Sequence, residues 1–352
     1  MDRRLELETE GLIKSWMRHD ERMLRDYMVA EVEDPRINIQ SILTRHFLIE
    51  ALFGERFAAL MDHELRFGAV MNWALKLVKQ PGGADDFPAI LHALESGADN
   101  AEGVPIPHFV SRTFSALPAL VNEVAIPSYL RDLLIDAPRS AVPPTISAEL
   151  ISSFEPIWRA VLANEPARGV TVLEPACGSA NDYRFLDAFG IARLVEYTGF
   201  DLCEKNIANA RALFPGVRFE AGNAFEICAA DKSFDVCFVH DLFEHLSLGA
   251  MDVAVAEICR VTREGICAGF FSMHEEEDPI VRPVDDYHWN TLSLAKTGAL
   301  FEKHGFPVDP IHIGTFLKWK FGCEETHNDN AYTFYAASDE IQNADDEPAG
   351  QG

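Results

Sequence analysis

The sequence predicts an α/β protein, a sheet with helices on both faces, preceded by a mainly α-helical N-terminal region. Three observations carry this. From about residue 146, short β-rich runs alternate with helix-period segments, as βα units do. Before that point apolar residues recur at helical spacing. Between the two textures lies "DAPRSAVPP" (136–144), the best linker in the chain. The expected divisions are a helical region, 1–145, an α/β domain, 146–338, and an acidic tail, 339–352. The tail, "DEIQNADDEPAGQG", is poor in large apolar groups and is expected to be disordered.

The front region reads as follows. "EDPRINIQSILTRHFLIEALFG" opens on Asp34–Pro35, a cap with proline in the first turn, and carries Ile39, Ile42, Leu43, Phe47 and Ile49 at helical spacing. "FAALMDHELRFGAVMNWALKLV" repeats the pattern with Leu60, Met61, Leu65, Val70, Trp73 and Leu77. "KQPGGADD" (79–86) breaks the run, and "FPAILHALESG" resumes it. The prolines from "EGVPIPHFV" to "IPSYLRDLLI" predict short helices and irregular chain.

In the second region "AELISSFEPIWRAVLA" reads as a helix, "GVTVLEPA" as a strand and "NDYRFLDAFG" as a helix. "VEYTGFDL", "VRFEAGNA", "FDVCFVHDL" and "GICAGFFSM" read as further strands. "CEKNIANARALF", "GAMDVAVAEICRVT" and "LAKTGALFEKHG" read as helices between or after them. "VDPIHIGTFLKW" reads as extended, and "NAYTFYAAS" as a last strand.

The bulk properties exclude several classes. The 352 residues carry a formal net charge of −26 and no basic cluster, which disfavours a nucleic-acid binder. No apolar run is long enough to span a bilayer, and no early run looks like a secretory signal. The seven cysteines begin at Cys177, form no CxxC pair and sit largely in apolar runs, as reduced thiols would. A cytoplasmic enzyme is the expectation.

In an open α/β sheet, ligands gather at the carboxyl ends of the strands. The first strand ends in Glu174, followed by "PACGSA", and the second in Asp201–Leu202. The third leads to Gly222–Asn223–Ala224, and the fourth ends in His240–Asp241. Successive ends lie about one βα unit apart. In this order the residues resemble the class I S-adenosylmethionine-dependent methyltransferases, over roughly residues 146–338. The family's first motif is an acid followed by x-G-x-G-x-G; here the acid is Glu174 and the glycine positions hold Ala176, Gly178 and Ala180. The resemblance implies a Rossmann-like seven-stranded sheet with S-adenosyl-L-methionine as cofactor. Glu174, Ala176, Gly178, Asp201, Leu202, Asn223, Ala224 and His240 would hold it. Asp201 would accept from both ribose hydroxyls, while Asn223 and the Ala224 amide address the adenine edge. The Ala180 methyl is expected to narrow the methionine end. An NAD-type turn would need G-x-G-x-x-G, which this single-glycine turn lacks.

Methyl transfer from a sulfonium needs alignment and exclusion of water, and a base only if the acceptor must lose a proton. His245, His274 and His240 are the candidate catalytic residues, because histidine titrates near neutral pH. Tyr287, His288 and Trp289 are candidate acceptor contacts. Phe109, Phe114 and Tyr129 could line an acceptor pocket or simply be core. Asp241-x-x-Glu244-His245 resembles a metal-binding E-x-x-E-H in some relatives, but "EHL" is common in enzymes without metal, and no metal is expected. The acceptor is read as a small molecule. Two alternatives stay open: a non-catalytic cofactor binder and a protein methyltransferase. The helical region would cap the site or build a homodimer.

Overall fold

The computed structural model describes residues 1–17, 35–79, 89, 100–101, 104–110, 154–324, 326 and 328–339. The expected helix at 87–97, the linker, Phe114, Tyr129 and nearly all of the tail lie outside these residues.

Helix α1 (Arg3–Met17) starts from Asp2, whose Oδ1 accepts from the Arg4 amide at 2.9 Å. Helix α2 (Ile39–Phe53) begins four residues after Pro35, not at the Asp34–Pro35 pair. Asn38 is its cap: Oδ1 accepts from the amides of Gln40 and Ser41, which satisfies two otherwise orphaned donors. Helix α3 (Ala58–Lys79) follows after a short 3-10 turn.

The α/β part runs α4 (Glu155–Leu162), β1 (Val170–Pro175), α5 (Asn181–Ala188), β2 (Val195–Asp201), α6 (Glu204–Leu213) and β3 (Arg218–Ala221). It continues with β4 (Phe234–His240), α7 (Leu248–Val261), β5 (Thr262–Phe270), α8 (Leu294–Lys303), β6 (Val308–His312), α9 (Ile313–Phe321) and β7 (Tyr332–Ala337). Residues 313–319 of the segment expected to be extended lie in helix α9. His312 caps it through the Thr315 amide, and Gly322 ends it in the left-handed region, a start and a stop that outweigh its β-rich composition.

The seven strands order as β6-β7-β5-β4-β1-β2-β3. The pairs from β5 through β4, β1 and β2 to β3 are parallel; β7 is antiparallel to both β5 and β6. The chain leaves β1 towards β3, then returns to β1's other side with β4. That reversal opens a crevice at the carboxyl ends of β1 and β4.

Alternate strand residues feed two cores. Val172, Tyr197, Val236 and Phe238 face α2, α3, α4, α5 and α6. Leu173, Phe200, Cys237, Val239 and Ile266 face α7 and α8, together with Leu12 of α1. The front helices therefore share the sheet's cores, with α1 and α2 on opposite faces. Gln40 Nε2 donates to the carbonyls of Phe270 and Tyr332 at the ends of β5 and β7, and the Tyr335 hydroxyl donates to the Leu43 carbonyl. A fully buried charge cluster reinforces the junction. Glu64 on α3 accepts from Arg45 and His46 of α2 and from the indole of Trp158 on α4, at 2.6–2.8 Å. Burial alone would raise its pKa, but Arg45 and His46 outweigh that and hold it at about 2. Among the described residues no helix is long and apolar enough to cross a membrane.

Candidate functional site

The turn after β1 is the most unusual backbone in the fold. Ala176, Gly178 and Ala180 alternate at φ of 57°, 54° and 66° with residues of ordinary φ. For alanine this costs about 1–2 kcal/mol each, and the turn is held by its own amides: Cys177 N–H donates to the Phe200 carbonyl, Gly178 N–H to Asp201, and the Ala180 and Asn181 N–H groups to the Cys177 carbonyl. Ala180 lies in the sheet core at 1% exposure. Its methyl thus packs inward, whereas the sequence placed it against the methionine end.

Three carboxylates meet beside this turn. Glu174 is buried, and its Oε2 accepts from the Tyr197 hydroxyl. Asp201 accepts from the Gly178 amide at 3.0 Å, the Cys203 amide at 2.8 Å and Asn206 Nδ2 at 3.2 Å. Three of about four lone-pair sites of Asp201 are taken, which leaves Oδ2 room for a further donor. Burial pushes both acids up, and Asp182 and Asp201 add to the effect on Glu174. Among the described residues no lysine or arginine forms an ion pair with Glu174 or Asp201. A ligand with an ammonium and a sulfonium suits these acids.

Leu202 packs at the edge of the second core. The Asn223 amide is fixed at both ends: Oδ1 accepts from the Phe225 amide at 2.9 Å, and Nδ2 lies 3.2 Å from the Thr9 hydroxyl of α1. Ala224 follows it, half-buried.

His240, at the end of β4, has both ring nitrogens occupied. Nδ1 meets Asp182 at 3.2 Å, and Nε2 meets the buried Thr44 hydroxyl of α2 at 2.7 Å. Burial disfavours the charged ring, but Asp182 outweighs it, and the pKa is raised. The ring also covers Gly269, where a Cβ would collide with it. His240 thus bridges α2, α5 and the sheet.

The acceptor side is assembled from two distant segments. His245, on the 3-10 turn Phe243–His245, donates from Nδ1 to the His288 carbonyl at 3.1 Å. A carbonyl can only accept, so Nδ1 carries a hydrogen, and Nε2 is the nitrogen that gains or loses a proton. Nε2 lies 3.4 Å from Asp241, itself held at φ 57°. Burial opposes protonation, but Asp241 outweighs it and raises the pKa of His245. The rings of Trp289, Tyr287 and Phe271 surround the imidazole at centroid distances of 5.2, 5.8 and 6.0 Å. Of these, Phe271 carried no sequence signal beyond its strand.

Of the three candidate catalytic histidines, only His245 stands among the acceptor candidates Tyr287, His288 and Trp289. His274 lies in the two-residue strand Met273–His274, which pairs with Leu292–Ser293; its Nε2 is buried without a hydrogen-bond partner, as is Nδ1 of His288. The Asp241 and Glu244 carboxylates, placed by spacing on one helix face, diverge. Asp241 is exposed on the turn, whereas Glu244 is fully buried and accepts from the Phe271 amide. Burial, then Asp241, push the Glu244 carboxyl up to about 7.

Residues 173–268 match the family model described as "Methyltransferase domain". A demethylmenaquinone methyltransferase from Chlorobaculum parvum is 27% identical over 163 residues, 43% of this chain; the chain spans 63% of that relative's length. A Burkholderia thailandensis 1,6-didemethyltoxoflavin-N1-methyltransferase, solved with its acceptor and S-adenosylhomocysteine, superposes at TM-score 0.37 and 17% identity, over 52% of this chain and 76% of its own. A Pyrococcus horikoshii structure superposes at TM-score 0.38 and 18% identity, over 55% and 92%. The matched segment runs from the end of β1 through the turn, the acid at the end of β2 and β4 into β5, so the match to a methyltransferase domain spans the strand ends that hold these residues.

Proposed function

We propose that the protein methylates a small-molecule acceptor that loses a proton in the reaction, with the acceptor seated between the end of β4 and the 283–289 hairpin. The observation that supports this most is the His245 ring, tautomerically fixed, paired with Asp241 and walled by Tyr287, Trp289 and Phe271. When bound, S-adenosylmethionine supplies an electrophilic methyl on a sulfonium. Glu174 and Asp201, whose raised pKa values fall back beside a bound cation, supply the negative field for its cationic groups. His245 Nε2 takes the acceptor's proton, and Asp241 stabilises the imidazolium that results. The aromatic walls exclude water and favour a flat, apolar acceptor. An aromatic acceptor like that named for the Chlorobaculum relative is one member of this class.

The test is turnover of methyl-labelled cofactor across a panel of aromatic hydroxyl and amine acceptors, alongside calorimetry. His245→Asn should bind S-adenosylhomocysteine like the wild type while turnover falls about 100-fold or more. Cofactor binding with no turnover on any acceptor would favour a non-catalytic binder instead. Failure to bind either form of the cofactor would remove the reading altogether.

A further inference from the structure

Helix α1 touches three separate parts of the methyltransferase domain. Its inward face is Leu5, Glu8, Thr9 and Leu12, spaced as one helical stripe. The two leucines pack into the second core. The two polar residues between them are the informative ones, because an apolar stripe has no packing use for them. Glu8 accepts from both the amide and the hydroxyl of Ser247, at 2.6 Å each, and Ser247 is the cap of α7. Thr9 faces the Asn223 amide at 3.2 Å. Two residues on, Gly11 lies so close to the 283–289 hairpin that a Cβ there would collide with the Asp286 carbonyl oxygen.

The Phe225 N–H can meet only an oxygen, so it fixes which end of the Asn223 amide is Oδ1. Nδ2 then needs an acceptor, and Thr9 supplies it. The oxygen keeps a second lone pair. Thr9 thereby orients this side chain without consuming it. The same helix, within three residues, sets the hairpin that carries Tyr287, His288 and Trp289.

We propose that Thr9 and Gly11 are positioning residues that couple the two ends of the cleft: Thr9 orients Asn223 at the adenine end, Gly11 seats the acceptor hairpin, and α1 transmits occupancy of one to the other. The proposal rests on the cofactor reading above. It goes beyond it in making the first helix, well over a hundred residues from β1, part of the site.

The experiment uses the full chain with S-adenosylhomocysteine, read by calorimetry and by hydrogen exchange of the amides at 222–226 and 284–289. In the wild type the ligand should slow exchange in both segments. Thr9→Val should raise Kd about threefold to tenfold, the loss of one hydrogen bond, and Thr9→Ser should restore it. Gly11→Ala improves helix propensity, so any loss comes from the collision. It should leave Kd within about twofold and abolish the ligand's effect on the hairpin. Thermal melts of each variant separate this from unfolding. A wild-type Kd for Thr9→Val, or a hairpin whose exchange ignores the ligand in the wild type, would overturn the proposal while leaving the cofactor reading intact. Absence of binding to the wild type would overturn both.

Discussion

Two fully buried glutamates, Glu64 between the front helices and Glu244 at the end of the sheet, meet opposite surroundings. Glu64 gathers a guanidinium, an imidazole and an indole N–H, and burial's upward pull is overcome to leave it ionised at about 2. Glu244 has one backbone N–H on Oε1, nothing on Oε2 and the Asp241 carboxylate nearby, and it is pushed up to about 7. Glu174 beside the β1 turn follows the second plan: a tyrosine hydroxyl, two neighbouring acids and a raised pKa. The contrast separates a charge used to join helices from charges left unsatisfied around a cleft. Perturbed acids of the second kind cluster at sites that bind or react.

Breaking Glu64 should give the largest effect. Glu64→Ala strands the buried Arg45 guanidinium, and a loss of about 3–5 kcal/mol is expected in urea unfolding. The pH dependence has a definite sign. Glu64's folded pKa lies below its ordinary 4.5, so its contribution is fully present above pH 4.5 and is lost as pH falls towards about 2. A variant as stable as the wild type at pH 7 would show that the junction is held without the charge cluster.

Glu244 should behave in reverse. Its folded pKa exceeds its unfolded one, so it costs nothing below pH 4.5, and the penalty grows until pH passes about 7. Glu244→Gln should therefore stabilise the protein above pH 7, by about 3 kcal/mol at most, with the gain vanishing near pH 4.5. Parallel unfolding curves for wild type and variant across that window would contradict the assignment.

Glu174→Gln sharpens the comparison further. The acid is already held towards its neutral form, so the variant should fold with unchanged stability. Affinity for S-adenosylmethionine should fall on the order of tenfold, the scale of one charge-assisted bond. Equal loss for S-adenosylhomocysteine, which lacks the sulfonium, would place Glu174 against the ammonium group.

The two sides of the cleft were not equally legible in the chain. Glu174 and Asp201 lie at the ends of β1 and β2, and Gly178 and Asn223 in the turns just after β1 and β3, so their shared edge follows from sheet order alone. The inward turn of the Ala180 methyl did not, because it depends on a left-handed backbone at a non-glycine residue. On the acceptor side, His245 meets Tyr287 and Trp289 across more than forty residues of intervening chain, through a hairpin whose strands are two residues long. Nothing periodic announces such a contact. Helix α9 was hidden for a related reason: its cap, His312, is the last residue of a strand. Thr44 and Thr9 were invisible, since each acts on a partner some two hundred residues away.

The smallest expected change tests the pairing at the acceptor side. Asp241 raises the pKa of His245 against the pull of burial. A general base works in its neutral form, so kcat/KM should rise with pH through that raised value. Asp241→Asn removes the carboxylate and lets burial prevail, and the acid limb of the profile should move to lower pH. Maximal turnover should also drop, because the imidazolium formed during proton removal loses its counter-charge. The two effects oppose each other at low pH and reinforce nothing at high pH. The variant should therefore compare best with the wild type under acidic conditions and worst above neutrality. An unshifted limb with uniformly lower turnover would make Asp241 a support for the turn, whose left-handed backbone at this residue asparagine also tolerates.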